Sequence, residues 1–444
     1  MRSFLWDVTC RLWPALVLTL AAVGAEPGPK LANTVPSDRL NKELPSWLRF
    51  SGEERARVEG WSGIGYKKDA RDLFLLNRLR INLQIAPSPW LKFTFQGQDS
   101  RVFGGNVKPA PASQKDALDL RFAYVEVGDA EKRPVSLRVG RQILAFGEGR
   151  LVADPSWGNT GRTFDAVRAT FRHGKMRLDA FAASVVRMKD GEFNKRVDGD
   201  NFHGLYGALQ NLVPNATVEP YLFWRLAPVV KAESGVAGKL DSKTAGVRWL
   251  GKLPVGFDYN VEIAGQTGRY AADRIGAWAS HFVLGHTFPN PRRLPRVFAE
   301  YNQASGDGKL KDGRRGTFDQ LYPSSHDKFG AADQFMWSNL RHARGGFEIK
   351  VRAPLVLMSS YHSFWLASPG DGLYASGAKL VARRADGSAG SHVGQELDVQ
   401  AFWTLSKNTQ GNFGYAHIFP GRFLHQTVQG VQHHYVFLNL LRRF

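Results

Sequence analysis

The sequence has almost no cysteine, and no long apolar run beyond its first thirty residues. Its one cysteine, Cys10, lies near the N-terminus, so a disulfide scaffold and thiol chemistry are excluded for the rest of the chain. No later apolar stretch approaches the roughly 18 residues that a membrane-spanning helix needs. The mean hydropathy of −0.30 also excludes a helical membrane protein. A chain of 444 residues without these features forms several globular domains or one large β-structure.

Acidic residues are scarce relative to basic ones. The chain has 59 Lys and Arg against 40 Asp and Glu, a formal net charge of +19. Such an excess predicts an acidic partner. Nucleic acid, lipopolysaccharide and an anionic solute all meet that description, and the N-terminus distinguishes between them.

Residues 1–25 have the features of a secretory signal peptide. Arg2 and Arg11 flank a short charged region, residues 12–23 are apolar, and small residues around Ala25 offer a cleavage site. The apolar stretch is too short to be a membrane-spanning anchor. The chain is therefore expected to leave the cytoplasm, which excludes nucleic acid as a partner. The polar, proline-containing residues 26–46 are expected to form a periplasmic N-terminal segment, either a tail or a plug.

From Trp47 onward the dominant pattern has a period of two residues. In a typical segment, the polar residues Arg78 and Arg80 lie on either side of the apolar residue Leu79. About eighteen such segments can be counted, each near the length that a tilted strand needs to cross a membrane. Their expected bounds are 48–59, 73–85, 90–101, 117–127, 135–145, 163–172, 176–186, 202–212, 216–227, 243–251, 257–269, 274–287, 295–305, 341–352, 355–366, 394–405, 409–419 and 433–444.

The connections between these segments alternate in length. Short turns such as 86–89 and 173–175 alternate with longer Gly- and charge-rich loops, the longest at about 306–340 and 367–393. Outer-membrane barrels show this alternation because their turns face the periplasm and their loops face the exterior. We therefore predict an all-β, transmembrane antiparallel β-barrel of about 18 strands over residues 47–444, located in the bacterial outer membrane.

The C-terminal segment supports the same fold. Val436, Leu438 and Leu440 alternate with other residues up to a terminal Phe444. Outer-membrane barrels typically end in such a strand, closed by an aromatic residue that the barrel-insertion machinery reads. Arg442 departs from the apolar residue usual two positions before the end. We expect the insertion machinery to be a partner through Phe444.

Three blocks of loop and strand-end residues form recognisable motifs. They are 138–142 with Gly147, Arg150, Leu151, Trp157, Asn159 and 162–165; 300–301, 305–307 and 316–323 with His326, Gly330, Asp333 and Asn339; and 392–398 with 414–415 and 420–421. Together the blocks resemble the alginate export family of outer-membrane barrels and cover nearly all of the mature chain. The resemblance implies an eighteen-stranded monomeric barrel with an electropositive constriction through which an acidic polysaccharide leaves the cell.

A lumen that passes a polyuronate needs guanidinium groups, which match carboxylates with a planar fork and stay charged. Interspersed acids keep any single site from binding too tightly. By alternation, the inward basic candidates are Arg78, Arg80, Lys92, Arg168, Arg177, Arg225, Arg248 and Lys350. The expected counter-charges are Asp165, Asp179, Asp258, Glu262, Glu300, Glu396 and Asp398. The alternative is that these charges only pair across strands and rigidify a wet lumen.

Arg141 does not fit this alternation. Strict alternation places it on the same face as Val139, which would face lipid. A lipid-facing arginine at mid-membrane costs roughly 2–4 kcal/mol. We therefore expect a local bulge that turns Arg141 into the lumen as a further substrate contact.

The sequence thus predicts an outer-membrane channel that passes an anionic polysaccharide, such as an alginate-like polyuronate, through an arginine-rich lumen. A general anion-selective or small-sugar porin remains an alternative, as does a surface adhesin or receptor with a blocked lumen. Neither an enzyme nor a cofactor is expected, since Ser359, Ser360 and His362 lack a nucleophile-elbow motif. No metal is expected either, because Asp307 and Asp312 lack the spacing of a calcium loop. The expected partners are the anionic polysaccharide or oligosaccharide, outer-membrane lipid and lipopolysaccharide.

Overall fold

The chain folds into a closed antiparallel β-barrel. The structure is a computed structural model that describes residues 36–289, 293–352 and 354–444. Within these residues, eighteen strands each pair with their neighbours along the chain, and the first strand also pairs with the last. The barrel predicted from the alternation is therefore confirmed. In the described part of the chain, no helix is long and apolar enough to cross a membrane.

The strands agree with the predicted segments to within a few residues at most ends. The barrel strands are β1 (Leu48–Ser62), β2 (Arg71–Ser88), β3 (Leu91–Gly104), β4 (Asp116–Val127), β5 (Val135–Gln142), β6 (Phe164–His173), β7 (Met176–Arg187), β8 (Lys195–Gln210), β9 (Ala216–Lys231), β10 (Ala237–Lys252), β11 (Phe257–Tyr270), β12 (Asp273–Thr287), β13 (Arg296–Ala304), β15 (Leu340–Arg352), β16 (Leu355–Leu366), β19 (His392–Ser406), β20 (Thr409–Pro420) and β21 (His433–Arg443). A short strand, β14 (Arg314–Arg315), adds to the barrel sheet by pairing with the first residues of β12. The remaining elements are not part of the barrel sheet: β17 (Gly372–Ala375), β18 (Lys379–Arg383), helices α1 (Pro36–Glu43) and α2 (Arg422–Thr427), and three short 3-10 turns, Ile64–Tyr66, Pro254–Gly256 and Ser376–Ala378.

Side chains alternate between the lumen and the outer surface along each strand, as the pleat of a strand requires. On β2, Arg78 and Arg80 are buried inside the barrel, whereas Ile81 is 47% exposed on the outside. Register follows the same rule, since inward Arg78 pairs with inward Arg55 of β1. The outer surface is apolar because it must contact lipid all round.

The two ends of the barrel differ in their connections. At one end, the short-turn end, two-residue turns such as 89–90, 174–175 and 407–408 join neighbouring strands. At the other, the long-loop end, the two longest connections are 305–339 and 367–391, as predicted. A third long connection, loop 143–163, was not singled out by the sequence, yet it enters the barrel together with loop 305–339.

An aromatic cluster inside the barrel seats these two loops. Phe181, Phe202 and Phe223 point inward from β7, β8 and β9 and are buried. Phe146 of loop 143–163 stacks on Phe181 with ring centres 5.4 Å apart. Tyr322 of loop 305–339 packs edge-on against Phe202 at 4.9 Å. Apolar side chains at lumen positions thus give the loops a hydrophobic surface on which to pack.

The structure describes only part of the two segments expected before the barrel. The expected signal peptide, 1–25, lies outside the described residues, as does the first part of the expected segment 26–46. Helix α1 lies at the start of β1, where Asn41 exchanges two hydrogen bonds with the backbone of Phe50, at 2.7 and 2.8 Å. This contact ties the end of the segment to the short-turn end of the barrel.

Candidate functional site: a charged lumen narrowed by two loops

Loop 143–163 is held against the inner wall by four arginines of β1 and β2. The donors and their backbone carbonyl acceptors are Arg55 to Ser156 and Gly158 at 2.8 and 3.0 Å, Arg57 to Trp157 at 2.6 Å, Arg78 to Ser156 at 3.0 Å, and Arg80 to Thr160 at 3.3 Å. All four arginines are at most 5% exposed. Arg78 and Arg80, predicted to line the solute path, therefore lie beneath the loop and attach it to the wall.

Asn159 completes this attachment from the loop side. Its amide nitrogen donates to the carbonyl oxygens of Asn77, Arg101 and Gln114 at 3.0, 3.1 and 2.9 Å. Its amide oxygen accepts a hydrogen bond from Arg55 Nη2 at 3.0 Å. Asn159 is fully buried. One side chain thus joins loop 143–163 to three strands and to the loop between β3 and β4.

Loop 305–339 is attached to another part of the wall, strand β19, by two buried carboxylates. The backbone N–H of Ala331 donates to Asp398 Oδ2 at 3.0 Å, and that of Ala332 donates to Glu396 Oε1 at 2.9 Å. Gly330 precedes them with a φ of +89°, and a Cβ there would lie 2.2 Å from Glu396. Only glycine therefore allows the loop to approach these carboxylates so closely.

A line of buried polar side chains continues from Asp398 across five neighbouring strands. His362 Nε2 lies 3.0 Å from Asp398 Oδ2, and its Nδ1 lies 2.9 Å from His342 Nε2. His342 Nδ1 contacts Asn302 at 2.9 Å, and Asn302 in turn contacts His281 Nδ1 at 2.8 Å. Because buried polar groups need partners, this line fixes the wall on which loop 305–339 packs.

The serines near His362 do not form a catalytic triad. Ser360 Oγ and Asp398 Oδ2 both lie against Nε2 of His362, at 2.9 and 3.0 Å. A triad needs the hydroxyl and the carboxylate on different ring nitrogens. Here His342 occupies Nδ1, and Ser359 donates to the backbone carbonyl of Asp398. The cluster supports the loop rather than ordering a nucleophile.

Charged side chains also join loop 143–163 to the part of the wall formed by β10, β13 and β15. Arg150 of loop 143–163 pairs with Glu300 of β13 at 2.8 Å and with Glu148 at 3.2 Å. Arg344 also reaches Glu300 at 3.5 Å, and Arg248 lies 3.5 Å from Glu148. Glu148 keeps 35% of its side chain exposed and so borders the open lumen. Burial raises the pKa of Glu148, but the nearby positive charges, Arg150 first, outweigh it and hold that pKa below its ordinary value.

The two inserted loops also contact each other. The ring of Trp157 stacks on His326 of loop 305–339, with centres 3.8 Å apart and planes 3° from parallel. His326 Nδ1 lies 2.8 Å from Asp333 Oδ2. The guanidinium of Arg57 lies 3.9 Å from the centre of the Trp157 ring. This stacked contact links the loops inside the barrel.

On the short-turn side of the loops, inward basic side chains remain partly open. We call this group the vestibule, and its ion pairs are Lys92 with Asp129 at 2.7 Å, Arg138 with Glu126, Arg168 with Asp179 at 2.9 Å, and Arg177 with Asp179 at 2.8 Å. Lys92, Arg138 and Arg177 keep 25%, 25% and 30% of their side chains exposed. Because Asp179 serves two arginines, the vestibule carries more positive than negative charge.

The remaining predicted lumen residues lie either near the inserted loops or towards the short-turn end of the barrel. Arg225 pairs with Asp319 of loop 305–339 at 2.8 Å, and both are partly exposed. Arg248 pairs with Glu219 at 2.8 Å. The other inward positions are Asp258, paired with Arg296; Glu262, which accepts a hydrogen bond from Tyr221; and Lys350, near the short-turn end.

The expectation for Arg141 is wrong, and Asp165 does not face the lumen either. The register of β5 with β4 and β6 runs through Arg141 without a shift, so no bulge turns it inward. Arg141 shares the outward face with Val139, which is 39% exposed. It pairs with Asp165 of β6 through contacts of 2.8 and 3.2 Å. Both residues lie at strand ends, where pairing lowers the cost of a charge near lipid.

Several inward arginines were missed by the sequence reasoning. Alternation carries the signal for Arg55, Arg57, Arg138 and Arg344, since each occupies the same face as its inward neighbours two residues away. Arg150 carries no such signal because it lies in a loop without periodicity. Its place in the lumen depends on contacts with β13 that are distant in sequence.

The profile of the alginate export family matches residues 46–439. This chain belongs to the alginate export family. No curated protein matches the sequence of this chain. Its fold is similar to three solved Pseudomonas aeruginosa structures: the outer membrane protein OpdK (TM-score 0.61, 10% identity), OccK8 (OprE; 0.61, 12%) and OccK5 (OpdH; 0.59, 13%). Each comparison covers 89% of this chain and 98% of the other.

Family and fold together place this alginate export family member in the bacterial outer membrane as a channel-type barrel. Sequence identities as low as these show a shared fold and nothing more. The short-turn end then faces the periplasm and the long-loop end faces the exterior, as in other outer-membrane barrels. The vestibule accordingly opens to the periplasm.

Proposed function

We propose that this alginate export family member passes an anionic polysaccharide of the polyuronate type, which enters the lumen at the vestibule. The observation that carries the proposal is the partly exposed basic group Lys92, Arg138 and Arg177 on the periplasmic side of the inserted loops. A polyuronate presents a carboxylate on every sugar. Guanidinium groups spaced along the wall match these carboxylates in both charge and geometry.

The acids of the vestibule suit passage rather than retention. Each exposed basic group already has a carboxylate partner, such as Glu126 for Arg138 and Asp129 for Lys92. An incoming carboxylate competes with that partner, so its binding is weak and the polymer moves on to the next site. Conduction requires this balance between entry and release.

The inserted loops favour a gated channel over a permanently open one. Loop 143–163 and loop 305–339 are attached to different parts of the wall and stack on each other through Trp157 and His326. A polymer therefore passes only where these loops leave space or move apart. Movement of loop 305–339 requires release of its hydrogen bonds to Glu396 and Asp398.

Two arginines of β5 provide a matched test of the solute path. Arg138 and Arg141 are three residues apart and each pairs with a carboxylate, but Arg138 points into the vestibule and Arg141 points outward. Removing one charge near a partly solvated path weakens binding by roughly 1 kcal/mol, or about 5-fold. We expect Arg138→Gln to raise the oligouronate concentration for half-block of single-channel current by that factor, and Arg141→Gln to leave it unchanged.

The measurement is current through single barrels in planar bilayers, with oligouronate added on the periplasmic side. Anion-selective current that the oligouronate blocks, with less block at higher salt, supports the proposal. Current indifferent to the oligomer would replace it with a general anion-selective or small-sugar porin. Absence of current in the wild type and in loop-released variants would favour an adhesin or receptor with a blocked lumen.

A further inference from the structure

Three arginines lie side by side on the outer wall at the long-loop end of the barrel. Arg269 of β11 pairs in register with Arg274 of β12, and Arg274 pairs with Arg314 of β14. All three side chains are exposed. Residues directly opposite on antiparallel strands, as Arg269 and Arg274 are, point to the same side with their Cβ atoms about 4.5–5.5 Å apart. The parallel pairing of Arg274 with Arg314 places the third arginine next to them. We call this group the arginine row.

The arginine row faces outward rather than into the lumen. On β11, Ile263 is 48% exposed, whereas Ala264 and Gln266 are buried, so odd-numbered positions such as Arg269 face out. On β12, Trp278 is 46% exposed while its neighbours Ala277 and Ala279 are buried, so even-numbered positions such as Arg274 face out. The row is therefore separate from the vestibule and from the inserted loops.

The protein leaves the charge of this row uncompensated. None of the ion pairs within the described part of the chain includes Arg269, Arg274 or Arg314. Asp241 pairs in register with Arg269, but its carboxylate instead contacts Lys243 at 3.1 Å and accepts a hydrogen bond from Trp224. Like charges directly opposite each other on neighbouring strands are destabilising. An external anion that bridges the guanidinium groups would remove this repulsion.

The surface next to the row is apolar and reaches across the membrane. Ile263, Trp278 and Phe282 are outward and between 42% and 48% exposed. Tyr259 lies near the short-turn end of β11, and Arg269 follows it by ten residues, which corresponds to about 25 Å of height for a strand tilted by roughly 40°. That height equals the apolar band of an outer-membrane barrel. The row thus lies at the upper edge of the band, level with the headgroups of the outer leaflet.

We propose that Arg269, Arg274 and Arg314 bind the phosphate groups of lipopolysaccharide while its acyl chains lie against the apolar surface below. Planar guanidinium groups bind phosphate oxygens in pairs. A soluble polyanion would gain nothing from Ile263 and Phe282, so the amphipathic surface fits a phosphorylated glycolipid. Because Arg314 belongs to loop 305–339, a phosphate shared with Arg274 also holds the outer edge of that loop against β12.

The test uses the full-length barrel refolded without lipopolysaccharide into phosphatidylcholine nanodiscs. Lipopolysaccharide is titrated and its dissociation constant measured for the wild type and for the R269Q/R274Q/R314Q variant. At about 1 kcal/mol for each basic residue at a charged surface, the triple variant should bind about 100-fold more weakly. The control variant K189Q/K195Q/R196Q removes the same charge from exposed positions at the same end of the barrel. It should bind within about twofold of the wild type.

Further ligands distinguish the sources of binding. Lipopolysaccharide stripped of its phosphates should bind the wild type as weakly as intact lipopolysaccharide binds the triple variant. Inorganic phosphate alone should bind far more weakly than the glycolipid. Equal binding of the stripped and intact forms, equal binding of inorganic phosphate, or an equal loss in the control variant would each overturn the proposal. Heat-modifiable gel mobility checks that every variant is folded.

Discussion

Replacing Asn159 by alanine removes the side chain that joins loop 143–163 to the rest of the barrel. The wild-type amide makes four hydrogen bonds, three of them to the carbonyl oxygens of Asn77, Arg101 and Gln114. The fourth is accepted from Arg55. Alanine makes none of these bonds, while the backbone conformation of the loop remains accessible to it. The change therefore weakens the attachment without introducing a new charge or a clash.

The expected size of this effect follows from the three carbonyls left without a donor. A buried polar group that loses its partner costs about 1–3 kcal/mol, and we take about 1 kcal/mol each because water can enter the vacated space. The total is about 3 kcal/mol. At 1.4 kcal/mol for each factor of ten, the detached population of the loop should rise about 100-fold.

Trypsin reports this population because Arg150 lies in the loop and is 4% exposed when the loop is attached. Cleavage of a locally opened segment follows the population of the open form when reclosing is fast. The cleavage rate of Asn159→Ala should therefore exceed that of the wild type by about 100-fold. Thr160→Val is the matched control, since it removes one hydrogen bond, to the carbonyl of Ala112, from the neighbouring residue. Its rate should rise about 5-fold.

An Asn159→Ala barrel that trypsin cleaves no faster than Thr160→Val would refute this reasoning. That outcome would mean that the arginines of β1 and β2 hold the loop without help from Asn159. Single-channel recordings provide a second readout, because a detached loop should produce more frequent high-conductance openings. Recordings identical to the wild type would point to the same conclusion.

Three further predictions concern the loops and the barrel seam. Glu300→Gln leaves Arg150 and Arg344 without their shared carboxylate and should lower the free energy of unfolding by about 3 kcal/mol. The temperature of the heat-modifiable transition should fall measurably. Glu131→Gln, which removes one partner of an exposed ion pair, should leave that temperature unchanged. Burial raises the pKa of Asp154, but Arg121 and Arg80 outweigh it and hold that pKa below its ordinary 3.8. Its stabilisation is thus complete above about pH 4 and is lost as the pH falls below that value. Cleavage of loop 143–163 by an acid protease should therefore rise at low pH in the wild type and rise less steeply in Asp154→Asn, where only the carboxylate of Glu148 still loses its charge. Deletion of Phe444, whose backbone exchanges hydrogen bonds of 2.5 and 2.9 Å with Gly52, should reduce the assembled fraction in outer membranes; unchanged assembly would argue against a role for the last residue in closure or insertion.

The sequence by itself determined the barrel. Its alternation, its turn spacing and its C-terminal strand predict the eighteen strands and the closed sheet that the structure contains. The physical reason is that lipid offers no hydrogen-bond partners, so every strand must pair with a neighbour and present an apolar face outward. The alternation with a period of two residues, as around Arg78, reflects both the strand conformation and the apolar outer face, and it can be recognised within a single segment.

The contents of the lumen were decided only by the tertiary structure. Asn159 reaches Asn77 and Gln114, which are 82 and 45 positions away, and no local pattern signals those contacts. Arg78 was placed correctly inside the barrel, but its role in holding loop 143–163 depends on where that loop folds. Arg141 was placed wrongly because a bulge was assumed, whereas the strand register keeps it outside, paired with Asp165. Local alternation sets which way a side chain points, but long-range packing sets what it meets there.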